Sequence, residues 1–175
     1  MKKLFPLILL FIISCKTTDI RTESEFKIQN ESVNLYAFIG QKISVTEFDP
    51  NENNKRKVID PISGDTLIRQ SYIMDSGFRA KYRIVKNVFN ELKTDTIEFI
   101  AYDHYGRPGF ENFENVLLYI SLNQEKGNYY HQKYQFDPLK KTKNGIYRGL
   151  KGETIEKLFT EKKNGVLTAR GLFEE

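Results

Sequence analysis

One cysteine, two histidines and no tryptophan in 175 residues remove several classes of chemistry before any motif is sought. A single thiol makes no disulfide within the chain, so the fold must be held by burial and hydrogen bonding. A zinc centre takes three or four ligands from Cys, His and carboxylates. His104 and His131 stand at no recognisable metal spacing, and neither a metal nor a cofactor is expected. The sequence has no glycine-rich phosphate loop, no GxSxG elbow and no Ser/His/Asp arrangement worth defending. Long apolar runs are missing too. The longest covers residues 4–13 and is interrupted by Pro6, about half of the roughly 20 residues that a membrane-spanning helix needs. Nor does one sign of charge dominate: 27 Lys and Arg face 23 Asp and Glu, so bulk electrostatics names no partner.

What is present begins with the leader "MKKLFPLILLFIISCKTTD". Lys2 and Lys3 precede the short apolar run, and the small Ser14 follows it, which is the layout of a secretory signal peptide, removed from the mature protein. Residues 1–14 are therefore assigned as leader, and the mature chain keeps 25 basic side chains against 23 acidic ones. The four residues Ile12-Ile13-Ser14-Cys15 resemble the lipobox of bacterial lipoproteins. That resemblance implies a diacylated Cys15 thiol, cleavage just before it and acylation of the new amine. One acyl chain anchors only reversibly, whereas two or three hold firmly. Cys15 is thus expected to be a lipid anchor with no catalytic or redox role. Lys16 stands where an Asp, in families with this signal, often retains the protein at the inner membrane, so the expected location is the outer membrane, on its periplasmic face or at the cell surface.

Residues 15–32 are polar apart from scattered apolar side chains, and are read as a flexible tether. A β-rich domain follows at 33–136. "NLYAFIGQKISVTEF" is a long first strand whose internal Gly40 suggests a bulge or bend. "VIDPISGDTLIRQ" reads as a small hairpin. "FRAKYRIVKNVFN" alternates Ala80, Tyr82 and Ile84 against Arg79, Lys81 and Arg83, the period of a half-buried strand. "DTIEFIAYDHY", "ENVLLYISLN" and "NYYHQKYQF" supply three more strands. Residues 137–175 are read as a basic loop, a helix at "GETIEKLFTEKKNG" ending on an Asn164-Gly165 cap, and a last segment "VLTARGLF" that packs back as a strand.

The expected class is mainly β: a small five-stranded antiparallel barrel of the oligonucleotide/oligosaccharide-binding type with a C-terminal helix, a β-sandwich being the alternative. Three stretches carry a resemblance to the netrin-like, or tissue-inhibitor-of-metalloproteinase-like, variety of that barrel: the apolar-Gly-apolar step from Phe38 to Ile43, the strand pair from Tyr82 to Ile100, and the core strand at Leu117 to Tyr119. The family's inhibitors act through a free N-terminal Cys and are disulfide-rich. With the only Cys assigned to lipid, that mechanism does not carry over.

Two features are candidates for a site. The loop "AYDHYGRPGF" gathers Asp103, His104, Tyr105 and Arg107, where a rigid scaffold commonly presents function. His104 is a candidate acid or base with Asp103 beside it, although neighbours on a strand point to opposite faces. The second feature is a basic stretch from Lys126 to Lys151, with seven cations, one acid, and tyrosines between them, including Lys133, Lys140, Lys141, Lys143 and Arg148. Aromatic residues among cations are how such barrels stack rings and follow anions. An exported lipoprotein meets glycans and lipids rather than nucleic acid, so the expected partners are the membrane through the acyl chains, and an envelope protein or anionic glycan. The sequence thus points to a non-enzymatic binding or structural module, with an envelope hydrolase using His104 and Asp103, or an inhibitor of a foreign enzyme, as alternatives.

Overall fold

A computed structural model describes residues 26–52 and 54–174; Cys15 and the leader lie outside the described residues. Eight strands and one α-helix follow in order: β1 (Tyr36–Phe48), β2 (Lys55–Ile59), β3 (Thr66–Gln70), β4 (Ser76–Phe89), β5 (Thr96–Asp103), β6 (Asn115–Asn123), β7 (Asn128–Lys141), β8 (Tyr147–Gly149) and α1 (Ile155–Lys162). The chain is mainly β, and six strands form one mostly antiparallel sheet in the order β5-β4-β1-β6-β7-β8. A short parallel pairing, Phe99 with Tyr129 and Ile100 with Tyr130, joins β5 to β7 and closes a ring of hydrogen-bonded strands. Among the described residues the other sheet is the two-stranded β2–β3 hairpin, so there is no second large sheet to make a sandwich.

The hydrophobic pattern accounts for this layering. On β4 and β5, Phe78, Ala80, Tyr82, Ile97, Phe99 and Ala101 are buried while Arg79, Lys81 and Glu98 are exposed, the single-faced alternation expected of strands with one side in water. β6 has no such alternation. Val116, Leu118 and Ile120 join the core inside the ring, while Leu117 and Tyr119 join a second core beneath α1, so the strand is buried on both faces and reads as a continuous apolar run. β1 divides in the same way: Phe38 packs inside the ring, and Ala37 and Ile39 pack under the helix. The sharp bend expected at Gly40 is present as a register shift between Ile39 and Gly40. A Cβ there would lie 3.0 Å from both Phe38 and Tyr82, so the bend requires the missing side chain.

Helix α1 starts at an N-cap, where the Thr154 side-chain oxygen accepts from the Lys157 N–H at 3.1 Å. Its Ile155, Leu158 and Phe159 cover the outer face of the sheet, and Phe159 stacks on Phe89 with ring centroids 5.3 Å apart.

Four expectations need correction. Residues 26–32, assigned to the tether, are packed on the domain: Ile28 bridges Phe89, and the Phe26 ring lies 6.0 Å from Phe159. The cause is a residue far along the chain, since the buried Asn90 side chain bonds to Asn30, Val33 and Leu35. The boundary at 136/137 has no counterpart, because β7 runs through it from Asn128 to Lys141. "VLTARGLF" is not a strand; the helical path kinks at Gly165 and continues through Leu167, whose buried side chain belongs to the core under α1. The segment around Arg148, read as loop, contains β8, three residues that pair with the end of β7.

Candidate functional site

β7 carries the decisive irregularity. Leu118 of β6 faces Phe136 and Ile120 faces His131, so residues 132–135 bulge out opposite Tyr119 alone. Tyr134 sits at φ 66°, a left-handed conformation that costs an aromatic residue strain and that marks sites under functional constraint. The bulge is closed by the His131 Nε2–H, which donates to the Gln135 carbonyl at 2.8 Å. That bond places the ring proton on Nε2 and leaves Nδ1 as an acceptor.

Three distant stretches meet at this bulge. Asp75, just before β4, accepts from Lys133 Nζ at 2.5 Å on one oxygen and from His104 Nδ1 at 3.1 Å on the other. The Lys133 hydrogen bond holds the Asp75 carboxyl below its usual range and raises the lysine in return. Lys133 Nζ also sits 5.2 Å from the centroid of the Tyr134 ring, and Tyr134 lies 6.2 Å from the almost fully exposed Tyr105.

A cleft of about 540 Å³ opens beside this cluster, where β5 and β7 part company after Ile100 and Tyr130. Its apolar walls are Ile73, Ile100, Tyr102 and Tyr130. Its polar groups are the amides of Asn123, Asn128 and Gln132, the cations Lys126, Lys133 and Arg170, and the Asp75 carboxylate. Apolar walls with a few convergent polar groups are the usual make-up of a ligand site. A larger hollow of about 660 Å³ beside residues 27–36 lacks that character: its charges, Lys27, Glu31, Glu91 and Lys93, balance in sign, and Lys27 pairs with Glu91 at 3.2 Å.

His131 forms part of the cleft lining and is buried, 7% exposed. Burial lowers its pKa from 6.5 to about 4, opposed by the bond to Gln135 and assisted by the nearby charges of Arg170 and Lys162. The unfolded chain therefore takes up this proton near pH 6.5 and the folded one only near 4. The stability tied to His131 is full above pH 6.5 and is lost as pH falls towards 4, by about 3 kcal/mol in all. Denaturant titrations at several pH values should show this slope, and His131→Phe should flatten it between pH 6.5 and 4; an unchanged slope contradicts the assignment.

The sequence-predicted residues divide. His104 and Lys133 are brought together through Asp75, and the Tyr105 ring packs beside those of His104 and Tyr134. Asp103 does not partner His104: it is buried and accepts from the Tyr105 N–H at 2.9 Å, so the expected His104/Asp103 pair does not form. Arg107 is committed elsewhere, with two bonds to Glu111 at 2.7 and 2.8 Å, one to the Val45 carbonyl at 3.0 Å, and its guanidinium 5.3 Å from the Phe78 centroid. It clamps the loop to β1. Lys140 and Lys141 lie at the far end of β7, where Lys140 donates to the Leu150 carbonyl and Lys141 covers the Tyr147 ring. Lys143 is exposed in the turn that follows, and Arg148 lies on β8, so the basic stretch is not one surface. Asp75, Gln132 and Arg170 were missed. Among the described residues no group of three or more His, Cys, Asp or Glu is placed to hold a metal ion. In comparisons with protein-family models, curated proteins and solved structures, nothing matches this chain.

Proposed function

We propose that the protein is a lipid-anchored, non-enzymatic binding module of the bacterial envelope, built on a small oligosaccharide-binding type of barrel, whose rim cleft takes an anionic glycan. The anchoring part rests on the leader, with Cys15 as the acylated residue and Lys16 favouring the outer membrane. No helix among the described residues is long and apolar enough to cross a membrane. The barrel reading is supported by the closed ring β1-β4-β5-β7-β6, by its single parallel junction, and by a bent β1 that pairs with two neighbours.

The observation that carries the glycan reading is the cleft itself. Tyr102 and Tyr130 line it with aromatic rings, Asn123, Asn128 and Gln132 with amides, and three cations stand against one carboxylate. Among the described residues His104 bonds to Asp75 and His131 to a backbone carbonyl, an arrangement that positions loops rather than activating a nucleophile. The mature chain applied to an array of acidic and neutral oligosaccharides is expected to retain acidic ones selectively, and Tyr130→Ala to weaken that retention about tenfold. Equal retention of neutral glycans, or none at all, refutes the reading.

A second reading, an envelope protein as partner, is favoured by the β2–β3 hairpin. Every residue from 61 to 70 is exposed, and Ile59, Ile62 and Ile68 present apolar side chains to solvent above Lys55, Arg56 and Lys57. The hairpin springs from one end of the β1–β4 ladder, while Ile28 joins the domain at the other, beside Phe89. A protein held by Cys15 would carry this hairpin at the end remote from its anchored segment.

A further inference from the structure

We infer that Arg170 is the anion anchor of the cleft, and that the group it receives is a sugar carboxylate; this deepens the glycan reading and rests on it. The first ground is an imbalance of charge. Around the β7 bulge, Lys133 is paired with Asp75 at 2.5 Å and Lys162 lies 3.6 Å from Asp137. Arg170 has no carboxylate partner among the described residues: its Nη1 donates to the Gln132 side-chain oxygen at 3.2 Å and its Nη2 to the Lys133 carbonyl at 2.8 Å. Both acceptors are neutral, so the guanidinium's charge is not neutralised, and among the described residues two of its five N–H donors are used.

The second ground is preorganisation. Gln132 is 7% exposed, and its amide nitrogen donates to the Oγ of the wholly buried Ser121 at 2.7 Å. That bond fixes the amide so that its oxygen faces Arg170. A chain from Ser121 through Gln132 thus holds the guanidinium before any ligand arrives, which lowers the entropy cost of binding. A planar fork with free donors is suited to a carboxylate, which it can meet with two parallel bonds.

The third ground selects carboxylate over phosphate. Asp75 lines the same cleft and is kept ionised by Lys133, so a monoanion meets less repulsion there than a dianion. Tyr102 and Tyr130 supply flat apolar surface beside the anchor, as the ring of an acidic sugar requires.

Isothermal titration of the mature chain should use trigalacturonate, its methyl ester and inorganic phosphate as probes. The acid is expected to bind about ten- to a hundredfold more tightly than the ester. Arg170→Gln should remove the preference for the acid over the ester, while Arg170→Lys should fall between. A melting temperature and amide spectrum like those of wild type certify that the Arg170→Gln fold is intact. If acid and ester bind wild type alike, the acidic-glycan reading fails and takes the anchor with it; if Arg170→Gln binds the acid as wild type does, the reading stands and the anchor is overturned. Phosphate that competes with the acid at equal strength overturns the choice of carboxylate. If neither sugar binds, the glycan reading itself fails and takes the anchor with it.

Discussion

Asn90→Ala is expected to destabilise the domain by about 3–5 kcal/mol, a large fraction of the roughly 5–15 kcal/mol that separates folded from unfolded states. The two N–H groups of the Asn90 amide are shared among the carbonyls of Asn30, Val33 and Leu35, at 2.9, 3.0 and 2.9 Å from the nitrogen, and its oxygen accepts from the Asn30 N–H at 2.7 Å. Removing it leaves several buried or half-buried polar groups without their partner. The backbone adds to the loss, because φ at Asn90 is 51°, a region that Asn tolerates and Ala does not, at a cost of roughly 1 kcal/mol. Asn90→Gly removes the bonds but not the left-handed conformation, and should be milder than Ala by about that amount. Asn90→Asp keeps only the acceptor. Hydrogen exchange should show the amides of Ile28 and Leu35 losing protection first, since their segment is held to β4 by this side chain. A melting temperature within a few degrees of wild type would show that the segment is held by its apolar contacts alone.

Phe110→Ala should cost a similar amount, about 3–5 kcal/mol, by a different route. Its ring is fully buried at the centre of an aromatic cluster, with centroids 6.0 Å from Tyr82, 5.8 Å from Phe99, 6.2 Å from Phe136 and 4.8 Å from His131. These partners come from three strands, β4, β5 and β7, so no single neighbour can move in to fill the cavity. The effect reaches the candidate site as well. His131 owes its pKa of about 4 to enclosure, and the Phe110 ring is one wall of that enclosure. Water admitted by the truncation should move His131 back towards 6.5, measurable by NMR titration alongside the denaturation curve. A stable variant with an unmoved His131 would contradict this picture of the core.

The parts of the fold that were legible in the sequence are those governed by local pattern. Ala80, Tyr82 and Ile84 alternate with cations because one face of β4 is wet, the step at Gly40 is visible because only glycine fits there, and the α1 repeat of Ile155, Leu158 and Phe159 needs no tertiary knowledge. What escaped depends on pairings between distant residues. "NYYHQKYQF" alternates like an ordinary strand, and its bulge exists only because Phe136, not a nearer residue, faces Leu118. Phe26 and Ile28 are interleaved with polar neighbours and read as tether, and Asn90, sixty residues along the chain from Asn30, is what fixes them.

The candidate site was half legible for the same reason. The density of cations and tyrosines drew attention to Lys133, and the loop composition to His104 and Tyr105, yet nothing in "YIMDSGF" marks Asp75 as the residue that joins them. Arg170 lies beyond the helix in a segment whose composition is unremarkable, and its contribution arises from the kink at Gly165 and from Gln132. The sequence also grouped Lys140, Lys141 and Arg148 with Lys133, although the length of β7 carries them to its other end.

The most direct test of the central claim is chemical-shift mapping of the isotope-labelled mature chain during titration with trigalacturonate. A binding module with its site in the rim cleft predicts saturable shifts concentrated at Tyr102, Asn128, Tyr130, Gln132, Lys133 and Arg170, with the hairpin 55–70 unmoved. Shifts confined to that hairpin, or scattered over the surface without saturation, would contradict it.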